Sequence, residues 1–267
     1  MKTTLITLIL INLLSCKAHF ASMPGYSFQL FRNTEVELLA LAVENEDIDQ
    51  IEKLININNN INYQEPIFGQ TLLTCCIVNQ KLRSFKKLLE LGANPNIPTF
   101  TYNRTALIVA VENAHLMNCE TTYVEEILNY GGDPNSIWKY EHQSDNGAIS
   151  SEHSSLLMIA TKYGCINIIR LLVERGAEFQ NRIGEQSCTA LGEAIKHDNV
   201  DAIYYFINDL NTPIPDTCYF VIGESGKLQP ISCIEGLDRI NCKKIPNGCD
   251  RIEEIKRIII NTHRTSK

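Results

Sequence analysis

One block of sequence recurs along this chain, and its spacing constrains the fold more than any other feature. Residues 71–96 read TLLTCCIVNQKLRSFKKLLELGANPN, and residues 105–135 read TALIVAVENAHLMNCETTYVEEILNYGGDPN. Each opens with Thr-x-Leu, carries small or apolar residues five and six places later, and closes on Leu-x-x-Gly-x-x-Pro-Asn. Thr71 and Thr105 are 34 residues apart. Residues 155–180 (SLLMIATKYGCINIIRLLVERGAEFQ), 189–207 (TALGEAIKHDNVDAIYYFI) and 37–62 (ELLALAVENEDIDQIEKLININNNIN) keep the same phase. A unit of this length cannot bury its own apolar faces. Stacked copies can, so a repeat of this kind predicts a solenoid with a continuous strip of core.

Each block holds two short apolar-periodic segments separated by a break. Leu73, Cys76 and Ile77 share one helical face, and Phe85, Leu88 and Leu89 share another. Small residues at Ala42, Ala110, Ala160 and Ala194 allow paired helices to approach closely, while Gly92, Gly131 and Gly176 stand where a left-handed C-cap favours glycine. The pattern resembles the ankyrin repeat over most of residues 34–210. The Thr-x-Leu openings at Thr71/Leu73, Thr105/Leu107 and Thr189/Leu191, the near copy Ser155/Leu157, and the Gly-Ala-Asn-Pro-Asn ending at Gly92–Asn96 carry the resemblance. The repeats are degenerate. The usual His of the opening is Thr74, Ile108, Met158 or Gly192, and the Gly ending the first helix survives only as Gly164, with Gln80, Ala114 and Asp198 in its place.

The resemblance implies an all-α ankyrin-repeat solenoid of stacked helix-turn-helix units with finger loops, and a protein partner bound on the concave face built from fingers and first helices. The matching finger residues are Tyr63, Gln64, Phe68, Phe100, Tyr102, Asn103, Arg104, Trp138, Tyr140 and Arg182. Aromatic and arginine side chains dominate interface energetics, though any one of these also suits packing between fingers. Phe100 and Tyr102 with Trp138 and Tyr140 form the strongest group, since neighbouring fingers are expected to bring them together.

Two insertions break the period, at Leu116–Thr122 and at Ser136–Ser154, the second holding the sole tryptophan and a polar, loop-like second half. Beyond residue 210 the repeat fades. Cys218–Cys233 reads as two short extended runs about a Gly-Glu-Ser-Gly turn. Pro230–Gly236 and Arg251–Ile260 read as the helices of a divergent capping repeat over 211–267. Cys218, Cys233, Cys242 and Cys249 are disulfide candidates there. Pairing Cys218 with Cys233 and Cys242 with Cys249 is favoured, although four cysteines admit three connectivities. Cys76 fills a small-residue slot and reads as a buried thiol.

The N-terminus differs from the rest. Lys2 precedes an apolar run from Leu5 to Leu14, roughly 15 Å as a helix and too short to span a bilayer. The run ends Leu13-Leu14-Ser15-Cys16, which resembles the lipobox of bacterial lipoproteins. That resemblance implies a signal peptide over 1–15, acylation of Cys16 and a linker over 16–33, placing the protein in the cell envelope facing the periplasm or surface. A plain secretory signal is the alternative.

Catalytic chemistry is not legible. Gly223–Lys227 lacks the spacing of a phosphate loop, the six histidines are scattered without metal-ligand spacing, and no nucleophile elbow occurs. No cofactor or metal is expected. A net charge of −7 without a basic cluster does not suit nucleic acid. The expectation is a monomeric, non-enzymatic envelope protein, touching the membrane through its lipid alone and binding a protein partner. That partner is a toxin effector neutralised by an immunity protein, or another envelope protein. A secreted effector acting on host proteins, or an enzyme using the C-terminal segment, are the competing readings.

Overall fold

The computed structural model describes residues 26–57, 60–100, 102–143, 149–180, 188–222, 227–245 and 247–265. Cys16 with its apolar leader, and Arg182, lie outside them. The chain divides into two compact units, meeting in sequence between Asp133 and Pro134.

In the first unit a 3-10 turn, Phe28–Phe31, leads into three helix pairs: α1 (Glu37–Glu44) with α2 (Ile48–Ile57), α3 (Leu72–Val78) with α4 (Leu82–Glu90), and α5 (Ala106–Ala114) with α6 (Thr122–Asn129). The Thr-x-Leu opening proves to be a helix start. Thr71 and Thr105 adopt extended backbone, and each hydroxyl accepts the N–H three residues on, from Thr74 and Ile108. Such a cap contributes about 1 kcal/mol. At Thr71 it is reciprocal, because Thr74 Oγ1 also accepts the Thr71 N–H. The Leu two residues after the cap is buried every time: Leu73 and Leu107 are no more than 2% exposed.

The closing glycines are left-handed stops. Gly92 has φ +92° and Gly131 φ +84°. The N–H of the residue after each returns to the carbonyl five residues back, Ala93 to Leu88 and Gly132 to Ile127, which satisfies the last turn. The first helices of the repeats end in the same way without glycine: Glu46 and Gln80 hold φ +55°. Ala114 does not. The Leu116–Thr122 insertion prolongs that helix by a 3-10 turn, His115–Met117, and moves the left-handed stop to Asn118 and Cys119.

Adjacent repeats are joined by packing and by a side-chain ladder. First helix lies on first helix (α1 on α3, α3 on α5) and second on second (α2 on α4, α4 on α6). Ser84 Oγ donates to Val43 O, and the Phe85 and Tyr123 rings meet edge-on at 4.8 Å. Asn96 of the Pro-Asn ending donates to Gly131 O and accepts from Asp133 N, at 2.8 and 3.0 Å, while Asn62 accepts from Asn94 N.

The second unit begins with a hairpin, whose second strand falls in the half of the insertion expected to be a loop. β1 (Ile137–Gln143) pairs antiparallel with β2 (Ile149–Ser155), Ile137 opposite Ser155 and Gln143 opposite Ile149. A stretch rich in Ser and Glu carries no apolar alternation, so only the backbone ladder reveals these strands. β2 runs into α7 (Leu156–Lys162), whose cap Ser155 accepts from Met158 N. Then come α8 (Ile166–Glu174), α9 (Ala190–Lys196), and α10 (Val200–Tyr204), which continues as a π turn over Tyr205–Asp209. Asn135 repeats the ladder, donating to Gly176 O and accepting from Glu178 N.

The remaining segment repeats the plan once more. β3 (Tyr219–Ile222) pairs with β4 (Leu228–Ile231), then follow α11 (Cys233–Arg239) and α12 (Gly248–Thr265). α11 packs on α9 and α12 on α10. The earlier cap helix starts at Cys233, not Pro230, because Pro230 stands in β4 opposite Phe220; the last helix extends past both ends expected for it. Ser232 caps α11 by accepting from Glu235 N, an opening that echoes Thr-x-Leu. Cys218 is bonded to Cys233 and Cys242 to Cys249, with Cα separations of 5.1 and 4.8 Å.

Candidate interaction surface

Two finger turns of the first unit are built as one body. In the first, Glu65 is fully buried, and its carboxylate accepts three backbone N–H groups, from Ile67, Phe68 and Gln70, at 2.8, 2.7 and 3.1 Å. Its own backbone closes the turn, with Glu65 N donating to Gln70 O and Gly69 N donating to Glu65 O. A buried carboxylate is tolerated because these amides replace its hydration. The second finger is tied to the first: Phe100 N donates to Phe68 O, and the Gln64 amide donates both to Gly69 O and to Pro98 O, each at 2.9 Å. Gly69 has φ +72°, and a Cβ there would fall 2.6 Å from the Phe100 ring, so only glycine lets the ring lie against this turn.

This scaffold holds apolar side chains out in solvent. Ile67 is 66%, Phe100 62% and Tyr102 37% exposed. Tyr63 is half-buried with its ring 6.3 Å from Phe31, and Phe68 is half-buried. Asn103 is exposed at φ +52°. Arg104 is turned inward: its Nε lies 3.0 Å from Glu112 on α5, and its guanidinium sits 4.8 Å above the Tyr102 ring. It therefore positions Tyr102 more than it offers a charge to a partner. Trp138 and Tyr140 belong to β1 of the second unit, opposite Ser154 and Glu152, with Trp138 half-buried.

Three participants were missed in the sequence. Glu65 reads there as an ordinary surface acid, although Glu-x-x-x-Gly before a Thr cap is a signal that would have found it. Ile67 was passed over as aliphatic. Tyr26 is buried, its carbonyl accepts from Asn79 Nδ2 at 2.7 Å, and its hydroxyl bonds with Gln70 and Arg104. Burial raises the Tyr26 hydroxyl above its ordinary range, against the lowering pull of Arg104. Burial likewise pushes the Cys75 and Cys76 thiols far up, so they are inert packing groups. Among the described residues, no group of three or more His, Cys, Asp or Glu is placed to hold a metal ion, and no helix is long and apolar enough to cross a membrane.

The helix pairs, left-handed stops and fingers agree with what two family models match in the sequence: ankyrin repeats in three copies over residues 39–138, and ankyrin repeats in many copies over 156–207. These are ankyrin repeats. The fold is of the ankyrin-repeat solenoid class, mostly helical, with two small two-stranded sheets among the described residues. Among solved structures it is similar to the crystal structure of the human ASB11 ankyrin repeat domain. The TM-score is 0.50 at 20% identity, over 68% of this chain and 72% of that one. No curated protein matches the chain. Ankyrin repeats are a protein–protein interaction module and are typically non-enzymatic.

Proposed function

We propose that this chain is a non-enzymatic binding protein of the cell envelope, held there by a lipid on Cys16, which captures a protein partner on its finger face. The observation that carries the reading is the pair of cross-linked fingers presenting Ile67, Phe100 and Tyr102. Rigid aromatic and aliphatic anchors lose little conformational freedom on binding, so most of their burial contributes to affinity. The Cys218–Cys233 and Cys242–Cys249 bonds support an oxidising location, where disulfides persist. The lipobox-like Leu13–Cys16 supports the anchor. A secreted toxin or effector is the partner that fits an acidic envelope binder best, making the chain an immunity protein.

Capture from the native cell with the full chain as bait is the direct test. A stoichiometric partner should be retained by wild type and weakened at least about tenfold by Phe100→Ala with Tyr102→Ala, a loss of about 1.4 kcal/mol or more. Equal retention by both sinks the finger face. Labelled palmitate should enter wild type and not Cys16→Ser; incorporation in both removes the anchor from the proposal.

A further inference from the structure

The repeat register exposes a place that is interior everywhere else. In α3, α5, α7 and α9 the residue after the Thr or Ser cap and the one three further on are buried: Leu72 and Cys75, Ala106 and Val109, Leu156 and Ile159, Ala190 and Glu193, none above 9%. The left-handed stops fix the phase of α1 against them. Glu46 follows Glu37 by the same nine residues that separate Gln80 from Thr71 and Asp198 from Thr189. Leu38 and Leu41 therefore occupy the matching positions, yet they are 65% and 54% exposed.

Acidic residues dominate the sequence around these leucines, although Arg32 and Lys53 border the stretch and Lys87 pairs with Glu52. Residues 33–52 hold seven Asp and Glu and no Lys or Arg. Glu35 and Glu37 are exposed and Glu44 half-buried beside the pair. Within this unit every first helix is met by another, α1 by α3 and α3 by α5, so the shape that continues this packing is a helix laid along α1. A second copy of the chain would bring the same carboxylates face to face, which costs affinity.

We propose that the α1 edge docks a basic amphipathic helix of a protein partner, with its apolar stripe on Leu38 and Leu41 and its Lys or Arg residues facing Glu35, Glu37 and Glu44. Its residues are distinct from the fingertip residues Ile67, Phe100 and Tyr102, so either surface can fail without the other.

The probe is a synthetic helix of about 18 residues, five turns, with a Leu stripe flanked by Lys, and its twin with Glu for Lys. Anisotropy against the full chain should show the Lys helix binding with a Kd on the order of tens of micromolar and the Glu helix at least tenfold weaker. Leu38→Ser with Leu41→Ser should weaken the Lys helix at least tenfold, and Glu37→Lys with Glu44→Lys should reverse the preference. Phe100→Ala should leave both unchanged. Bound Lys helix should slow amide exchange over residues 37–44. Binding indifferent to the leucines or to peptide charge overturns the proposal. So does a wild-type dimer that the serine variant makes monomeric, which assigns the edge to a second copy. A fall in Tm in the serine variant also overturns it, since the chain itself would then cover the pair.

Discussion

In residues 26–133 a finger turn is closed by the Glu65 carboxylate and neighbouring turns are bridged by Gln64 and Asn96. In residues 211–265 the hairpin before α11 and the loop before α12 are each closed by a disulfide. The finger turns of the first region are thus closed by hydrogen bonds, and the hairpin and loop of the last are closed covalently. The difference follows the core. α3 and α5 are buried along nearly every residue, whereas β4 is exposed at three of its four positions and α11 buries three of seven. A thin core leaves chain entropy uncompensated, and a crosslink acts by removing it from the unfolded state. Charge divides the same way: residues 26–133 hold 14 Asp and Glu against seven Lys and Arg, an excess equal to that of the whole chain.

Glu65→Ala should break the first half of this comparison most severely. Three buried N–H groups lose their acceptor, for a loss of about 4 kcal/mol in urea unfolding, while Glu65→Gln keeps one acceptor oxygen and costs about half as much. A change under about 1 kcal/mol would mean that the finger is held by packing alone. Cys218→Ser with Cys233→Ser opens a 15-residue span and should cost about 3 kcal/mol. Amide exchange should quicken over residues 219–239 and stay unchanged over 72–90; quickening in both would show that the segments do not have separate supports.

A smaller effect separates the units by pH. Burial raises the Cys75 and Cys76 thiols above their ordinary value of 9.0. In the unfolded chain they ionise first, so the folded state binds more protons above pH 9 and stability falls as pH rises from there. The slope is about 1.4 kcal/mol per pH unit for each thiol. Denaturation at pH 8 and 10 should show the loss in wild type and a flatter response in Cys75→Ala with Cys76→Ala; identical slopes would place the alkaline sensitivity elsewhere. The smallest change is a gain. Gln80 holds φ +55°, so Gln80→Gly should relieve about 1 kcal/mol of left-handed strain, read as a higher urea midpoint. A lower midpoint would show that the Gln80 side chain supports the turn.

The phase of the repeats and the glycine stops were legible in the sequence, and the Thr-x-Leu opening recurred there although only the structure shows it to be a cap. They depend on local rules: a hydroxyl at the cap, a glycine where φ is positive, apolar residues at helical spacing. Cys218–Cys233 and Cys242–Cys249 could be favoured there because short loops bring those residues close, but only the coordinates join them. Tertiary structure alone decided the rest. The β1–β2 hairpin has no apolar period to announce it. Glu65 looks like any surface acid until the amides of Ile67, Phe68 and Gln70 enclose its carboxylate, and Arg104 looks available until Glu112, near the end of α5, takes its charge. Leu38 and Leu41 carry the apolar pattern of α3, α5 and α7, and only the packed structure shows that they stay mostly exposed among the described residues. Local sequence fixes where an element starts and which face is apolar; which neighbour meets that face is settled by residues far away in the chain.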